Sequence, residues 1–303
     1  MHKYRALAAL FVYSALASPA AFAAGGTEGP ERKTVVVSIL PQAYFVERIA
    51  GGRFAPVVLV GPGQSPHSYE PTPRQMAELS KTAAWLRIGI DFERGLAPKI
   101  AAAYPALRIV DVTAGARFRR LEAHGHEGEE SDADGRAGEE AGGIDPHVWL
   151  GRRGALTVAA NTRDALAALD PAGKATYAAN HDALAADITA TFDALGSTLA
   201  PLRGETVFVY HPAFGYFLDE FGIGQEAVET GGKEPTQKQL AALIAEAKAD
   251  GARVIFVQAQ FPAAAAKTVA DAIGGAVVPI DDLAPDWLDN LKRLGEAVRH
   301  AAR

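Results

Sequence analysis

The sequence predicts an α/β protein of two similar lobes, each a parallel-type sheet flanked by helices, joined by one long rigid helix. Two observations carry this expectation. Short β-branched runs alternate with helical patterns along most of the chain, as in β–α units that build parallel sheets. Near the middle, Leu184, Ile188, Phe192, Leu195 and Leu199 recur at helical spacing and mark a single helix much longer than the rest.

The chain opens with Lys3 and Arg5, an apolar stretch from Ala6 to Leu16, Ser18-Pro19, and then Ala21-Phe22-Ala23. That is the pattern of a cleavable export signal, so residues 1–23 read as a signal peptide and 24–33 as a flexible leader. The apolar stretch is short for a membrane span, and no later run is long enough for one. With no cysteine in the chain, the lipid-anchored form of a bacterial export signal is not expected. A periplasmic protein without disulfides is the expectation, its stability resting on a large core.

An N-terminal lobe is assigned to 34–170. Thr34–Leu40 (TVVVSIL) reads as a buried strand and Gln42–Ala50 as a helix. Pro56–Val60 is a strand running into Gly61-Pro62-Gly63, a loop that leads to His67. Pro73–Lys81 reads as helix, Ala84–Gly89 as strand, Phe92–Ala103 as helix and Leu107–Val112 as strand. From 119 to 143 the composition turns to Glu, Asp and Gly, with His124-Gly125-His126 inside it. Such a segment buries too little apolar surface to offset its ordering entropy, so a mobile acidic loop is expected. A helix over Arg153–Leu169 follows.

Asp170-Pro171 has the form of a helix start, an acid at the cap and proline at the first helical position. The connecting helix is assigned to 171–201, ending before or at Pro201; about 30 residues at 1.5 Å each reach roughly 45 Å. The C-terminal lobe, 202–303, repeats the theme. Thr206–Tyr210, Arg253–Gln258 and Ala276–Ile280 read as strands, and Phe214–Phe221, Thr236–Asp250, Pro262–Ile273 and Trp287–Ala302 as helices.

The formal net charge is −6 and 49% of residues are hydrophobic, which argues against a general nucleic-acid-binding surface. Three of the eight histidines sit directly beside a proline at the end of an apolar segment: Pro66-His67, Pro146-His147 and His211-Pro212. Proline fixes the local backbone and helps hold an imidazole in one direction. On spacing alone, three unrelated turn histidines and a metal site assembled from distant loops stand as equal readings. Ligands in open parallel sheets bind beyond the carboxyl ends of strands. His211 directly follows Thr206–Tyr210, Asp281 directly follows Ala276–Ile280, and His67 lies a short loop beyond Pro56–Val60. A cleft ion bound between lobes would then have a His67, His147, His211 and Asp281 shell, a set zinc accepts and one less suited to manganese.

At these residues a resemblance becomes specific. GPGQSPHSYEPTPRQMAEL, DPHVWL at Asp145–Leu150, HPAFGYFLDEFGI at His211–Ile223 and IDDLA at Ile280–Ala284 resemble, in order, the motifs of ZnuA/TroA-type metal-binding proteins of bacterial ABC importers. The likeness covers about Lys33 to Ala302. It implies a zinc-branch receptor with His67, His147 and His211 as imidazole ligands and Asp281 as carboxylate. The transported Zn2+ would occupy one primary site. The implied partners are an inner-membrane ABC permease and, as a further candidate, a periplasmic metallochaperone; the implied state is a monomer that is not membrane-embedded. Histidine at 211, where manganese members tend to carry glutamate, favours zinc. Gln258 departs from the glutamate often found there, and Asp282 beside Asp281 leaves two carboxylates in contention. A manganese receptor of the same family is the alternative. From a different class, a periplasmic zinc hydrolase is conceivable with three histidines and an open water position, although no HExxH or nucleophile-elbow pattern occurs. His181 and His300 read as surface or packing residues, and Tyr69 and Trp149 as packing beside the ligands.

Overall fold

In the computed structural model, which describes residues 32–121, 143–229, 235–261 and 263–301, the β-branched runs form two four-stranded sheets. The first holds β1 (Lys33–Val37), β2 (Phe54–Val58), β3 (Ala84–Arg87) and β4 (Arg108–Asp111) in the order β2-β1-β3-β4. The second holds β5 (Thr206–Val209), β6 (Gly224–Ala227), β7 (Val254–Gln258) and β8 (Ala276–Ile280) in the order β6-β5-β7-β8. Every pairing is parallel, so the two sheets repeat one topology. All carboxyl ends within a sheet therefore point to one edge, where loops can converge. The predicted signal peptide, nearly all of the leader, and most of the acidic loop with His124 and His126 lie outside the described residues. Lys33, expected in the leader, is the first residue of β1.

The helices of the first lobe are α1 (Leu40–Ala50), α2 (Pro73–Leu79), α3 (Asp91–Ala103) and α4 (Arg152–Leu169). β1 ends three residues sooner than its apolar run suggests, because Gln42 captures the chain there. Its side-chain oxygen accepts from the amides of Ser38 (2.8 Å) and Ile39 (3.2 Å), and Pro41 suits a first helical turn. α2 starts on a reciprocal cap: Thr72 Oγ1 accepts from the Gln75 amide at 3.3 Å, and Gln75 Oε1 accepts from the Thr72 amide at 3.0 Å.

The long helix, α5 (Lys174–Leu199), has 26 residues, or about 39 Å at 1.5 Å each. It begins later than the predicted Pro171, because Pro171–Gly173 forms a separate 3₁₀ turn. Asp170 does not cap the helix with its side chain. It turns back and accepts from the Tyr177 hydroxyl at 2.5 Å and from Arg53 at 2.6–2.7 Å, pinning the start of α5 beside β2. α5 packs on α1 and α4 of the first lobe and on the C-terminal helix α9 (Trp287–Ala301), with Leu184, Ile188, Phe192 and Leu199 fully buried. The predicted stripe is thus the face that joins the lobes.

The second lobe adds α6 (Gly215–Asp219), α7 (Gln237–Ala249) and α8 (Ala263–Ile273). α7 repeats the cap of α2, with Thr236 and Gln239 in the two roles. β6 is the one strand not expected from sequence. Its residues Gln225 and Glu226 lack the apolar signature of a strand, yet Gln225 is buried and accepts from the Phe214 amide at 2.9 Å.

One apolar core runs through both lobes from Val35 to Val298, with a smaller cluster under α7 and α8. Two indoles tie the lobes where they meet. Trp149 Nε1 donates to the Asp282 carbonyl at 2.9 Å, and Trp287 Nε1 donates to the Trp149 carbonyl at 3.0 Å. Both rings are fully buried, and Trp287 also packs on Phe45 with centroids 4.8 Å apart. Among the described residues no helix is long and apolar enough to cross a membrane.

Trp287→Phe keeps most of the ring and removes the donor, leaving the buried Trp149 carbonyl without it. The expected cost is about 1–3 kcal/mol of unfolding free energy, measurable by urea denaturation of the metal-free protein.

Candidate metal centre

His67, His147 and His211 come from three different segments and meet at the carboxyl edge of the two sheets. His67 lies in the 3₁₀ turn Pro66–Ser68 beyond β2; Ser65 starts the turn by accepting from the His67 amide at 3.3 Å. His147 precedes the 3₁₀ turn Val148–Leu150 that leads into α4. His211 follows β5 by one residue. Their nearest nitrogens lie within 4.8 Å of one another, the only such group of three metal-ligating side chains found among the described residues.

Nε2 of His211 is 3.1 Å from Nε2 of His67 and 3.2 Å from Nε2 of His147. Each ring is turned so by a carboxylate on its other nitrogen. His67 Nδ1 faces Asp91 at 3.2 Å, His147 Nδ1 faces Asp145 at 2.8 Å and His211 Nδ1 faces Glu229 at 2.5 Å. An Nδ1–H donating to a carboxylate leaves the lone pair on Nε2, the arrangement that orients imidazoles toward a metal. Three lone pairs at this separation repel unless a cation or shared proton lies among them. Zinc–nitrogen bonds of about 2.0–2.1 Å in a tetrahedron would put the nitrogens about 3.3 Å apart, close to the two separations made by His211.

The partners differ in burial. Asp145 is wholly buried and Glu229 is 2% exposed, whereas the Asp91 side chain is about half exposed. Burial disfavours protonation of His147, but the Asp145 hydrogen bond and charge, with Asp282 and Asp91, outweigh it and hold its pKa above the ordinary value. At His211 burial prevails over Glu229, helped by the two neighbouring histidines, and the pKa lies below the ordinary value. The hydrogen bond from His67 holds the Asp91 carboxyl below its usual range.

Neither of the two adjacent aspartates is among the converging ligand atoms, but Asp282 lines the cavity beside them, with Gln260 and Phe261. Gln260 Nε2 donates to Asp282 Oδ1 at 2.7 Å. That cavity leaves only about 10 Å3 for the centre of a water-sized sphere. Asp281, the expected carboxylate, is not among the converging groups. Its Oδ1 accepts from the Leu283 amide at 2.7 Å, and its side chain lines a different hollow with Asp286 and Arg293. Burial, with Asp282 and Asp286 nearby, raises its pKa. The turn geometry separates neighbours that a sequence reading treats as near equivalents.

Gln258, noted as a departure, acts on the backbone of His211. Its Nε2 donates to the His211 carbonyl at 3.1 Å and its Oε1 accepts from the His211 amide at 3.4 Å. A neutral amide can do both; a carboxylate could only accept. Phe261 stacks on the His211 ring at 4.8 Å and 29°. Trp149 packs edge-on to His147 at 5.2 Å, as expected of a packing residue. His181 pairs with Asp182 on α5 and His300 with Glu296 on α9, apart from the cluster. Sequence reasoning missed Asp91 and Glu229 as partners. Both lie just past strand ends, Asp91 beyond β3 and Glu229 beyond β6, so the rule that found His211 would have found Asp91. Glu229 stayed hidden because its strand was not recognised.

Two α/β lobes with a small imidazole-lined cleft between them have the form of a metal-binding receptor. The comparisons with known proteins agree. Residues 35–301 match the family model described as "ZnuA: Zinc-uptake complex component A periplasmic", and the chain belongs to that family of substrate-binding receptors, which are not enzymes. A crystal structure of ZnuA superposes with a TM-score of 0.81 at 33% identity, covering 90% of this chain and all of that one. A ZnuA deletion mutant with zinc bound superposes at 0.79 and 32% identity, covering 89% of this chain and 98% of that one. The zinc-binding lipoprotein AdcA of Streptococcus pneumoniae is 26% identical over 79% of this chain; the chain spans 48% of that relative's length, about half. A putative metal-binding protein of Treponema pallidum is 27% identical, over 82% of this chain and 79% of its own.

Metal binding needs His147 neutral at Nε2, and a raised pKa means protons compete for it already on the alkaline side of about 6.5. Zinc affinity measured by titration calorimetry should therefore be highest above neutrality and fall as pH drops toward 5. Asp145→Asn removes the partner that raises this pKa while burial still lowers it, so the fall should move to lower pH. Glu229→Gln keeps the shape and an acceptor but removes the charge, and should weaken zinc binding about tenfold or more.

Proposed function

We propose that this chain is a periplasmic receptor that captures Zn2+ between its lobes and delivers it to an ABC-type importer. The observation that carries this reading is the convergence of three Nε2 atoms, two contacts being 3.1 and 3.2 Å, each imidazole backed by a carboxylate. His67, His147 and His211 supply three nitrogen ligands, and Asp282, on the same cavity, is the carboxylate best placed to complete the shell. Asp281 could join only by giving up the Leu283 amide.

An all-imidazole trio favours zinc over manganese, which prefers oxygen donors. The charge balance supports a dication: neutral imidazoles at the centre, with Asp91, Asp145, Glu229 and Asp282 around them. Docking on an inner-membrane permease, with a metallochaperone as a further source of metal, follows from the family's part in uptake complexes. Residues 1–23 would direct export and be removed.

Titration of the mature protein with zinc and manganese in parallel tests this directly. One zinc per chain, bound far more tightly than manganese, is expected. His67→Ala, His147→Ala and His211→Ala should each cost more than about 100-fold, exceeding the loss typical of outer partners, whereas His124→Ala should change little. Asp282→Asn should weaken zinc more than Asp281→Asn. Equal losses for all four histidine variants, or tighter manganese binding, would defeat the proposal.

A further inference from the structure

Arg119 lies at the base of the acidic loop, where the chain returns on itself through a β-bridge between Arg120 and Ile144. Its side chain is only 14% exposed. Nη1 contacts Asp145 Oδ2 at 3.3 Å, and Nε contacts Asp219 Oδ2 of α6 in the second lobe at 2.9 Å. The backbone joins the same knot. The Arg119 carbonyl accepts from the Asp145 amide at 3.0 Å, and the Arg119 amide donates to the Tyr216 hydroxyl at 2.8 Å. That hydroxyl in turn donates to the Asp145 carbonyl at 2.8 Å. The other carboxylate oxygen of Asp145 holds both the amide and Nδ1 of His147, at 2.9 and 2.8 Å.

Room for the guanidinium comes from the second lobe. A Cβ added to Gly215 would stand 1.4 Å from Arg119 Nη1. The three atoms nearest that Cβ all belong to Arg119, and Gly215 has no left-handed backbone that would itself require glycine. The notch therefore makes sense as a seat for Arg119.

We propose that Arg119 is a positioning residue: lodged against Gly215, it fixes the Asp145 carboxylate that aims His147 and fastens this segment to the second lobe. The inference rests on reading His147 as a metal ligand. Arg119 touches no metal itself. It sets the direction of one imidazole and the closure of the lobes around it, and so governs how fast zinc leaves.

The test uses the metal-free and zinc-loaded mature protein carrying Arg119→Ala, Gly215→Ala, both together, or Asp219→Asn. Arg119→Ala and Gly215→Ala should each weaken zinc about tenfold, chiefly through faster dissociation. Both should shift the ring nitrogen signals of His147 in 15N spectra of the metal-free protein and leave those of His67 in place. Gly215→Ala should add nothing further once Arg119 is alanine, because the clash has gone. Asp219→Asn, which loses only the interlobe arm, should speed dissociation without moving the His147 signals. Wild-type zinc affinity and unmoved His147 signals in Arg119→Ala would overturn the proposal, as would a Gly215→Ala effect of equal size in both backgrounds. Should His147→Ala leave zinc binding intact, the ligand reading fails, while the His147 signals still decide whether Arg119 orients that ring. If Arg119→Ala does not fold, Gly215→Ala and Asp219→Asn carry the same test.

Discussion

Three converging imidazole nitrogens, with that of His211 3.1 and 3.2 Å from the other two, are the constraint around which this molecule is arranged. Left alone, such rings would turn their lone pairs away from one another or toward water. Here each is fixed through its opposite nitrogen by Asp91, Asp145 or Glu229, so the repulsion at the centre is relieved only by a cation or a shared proton. The grip is uneven. His147 and His211 are held by buried carboxylates, and His67 by a half-exposed one. His67, on a short turn, is also the most exposed of the three rings, at 28% against 5% for each of the others.

That geometry depends on how the two lobes meet. The shared core under α5 and α9 sets this, together with the two indole bonds between Trp149, Trp287 and Asp282. Trp149 stands two residues after His147, and its bond lands on the carbonyl of Asp282. One contact thus ties an imidazole of the first lobe to the candidate carboxylate of the second. Gln258 serves the same end on His211, where an amide that both donates and accepts locks the peptide at the end of β5.

Charge is arranged in layers. The innermost groups are imidazoles and the carboxylates stand behind them, on the far ring nitrogens. The Asp145 carboxylate is compensated by hydrogen bonds and by Arg119, which limits the cost of burying it, whereas one oxygen of Glu229 is buried without a hydrogen-bond partner. Binding a dication then completes a balance already partly prepared, and the opposed pKa shifts of His147 and His211 reflect the same layering.

Every strand but β6, the helices and the three proline-flanked histidines were legible in the sequence. Strong β-branched runs, helical stripes and proline-bounded turns are local signals, and the rule that ligands gather past strand ends turned them into a site. Residue order was enough to recognise the family, because its motifs are short and contiguous. What only the tertiary structure decided depends on groups far apart in the chain or differing only in direction. Glu229 was concealed by β6, a strand that its neighbours stabilise without apolar residues of its own. Asp281 and Asp282 are adjacent, yet one turn sends the first to the Leu283 amide and the second to Gln260 at the histidine cavity. Arg119 and Gly215 are 96 positions apart by their numbers, and nothing local links them. Composition and spacing encode which way each element forms; the aim of a side chain is set by packing from every side at once.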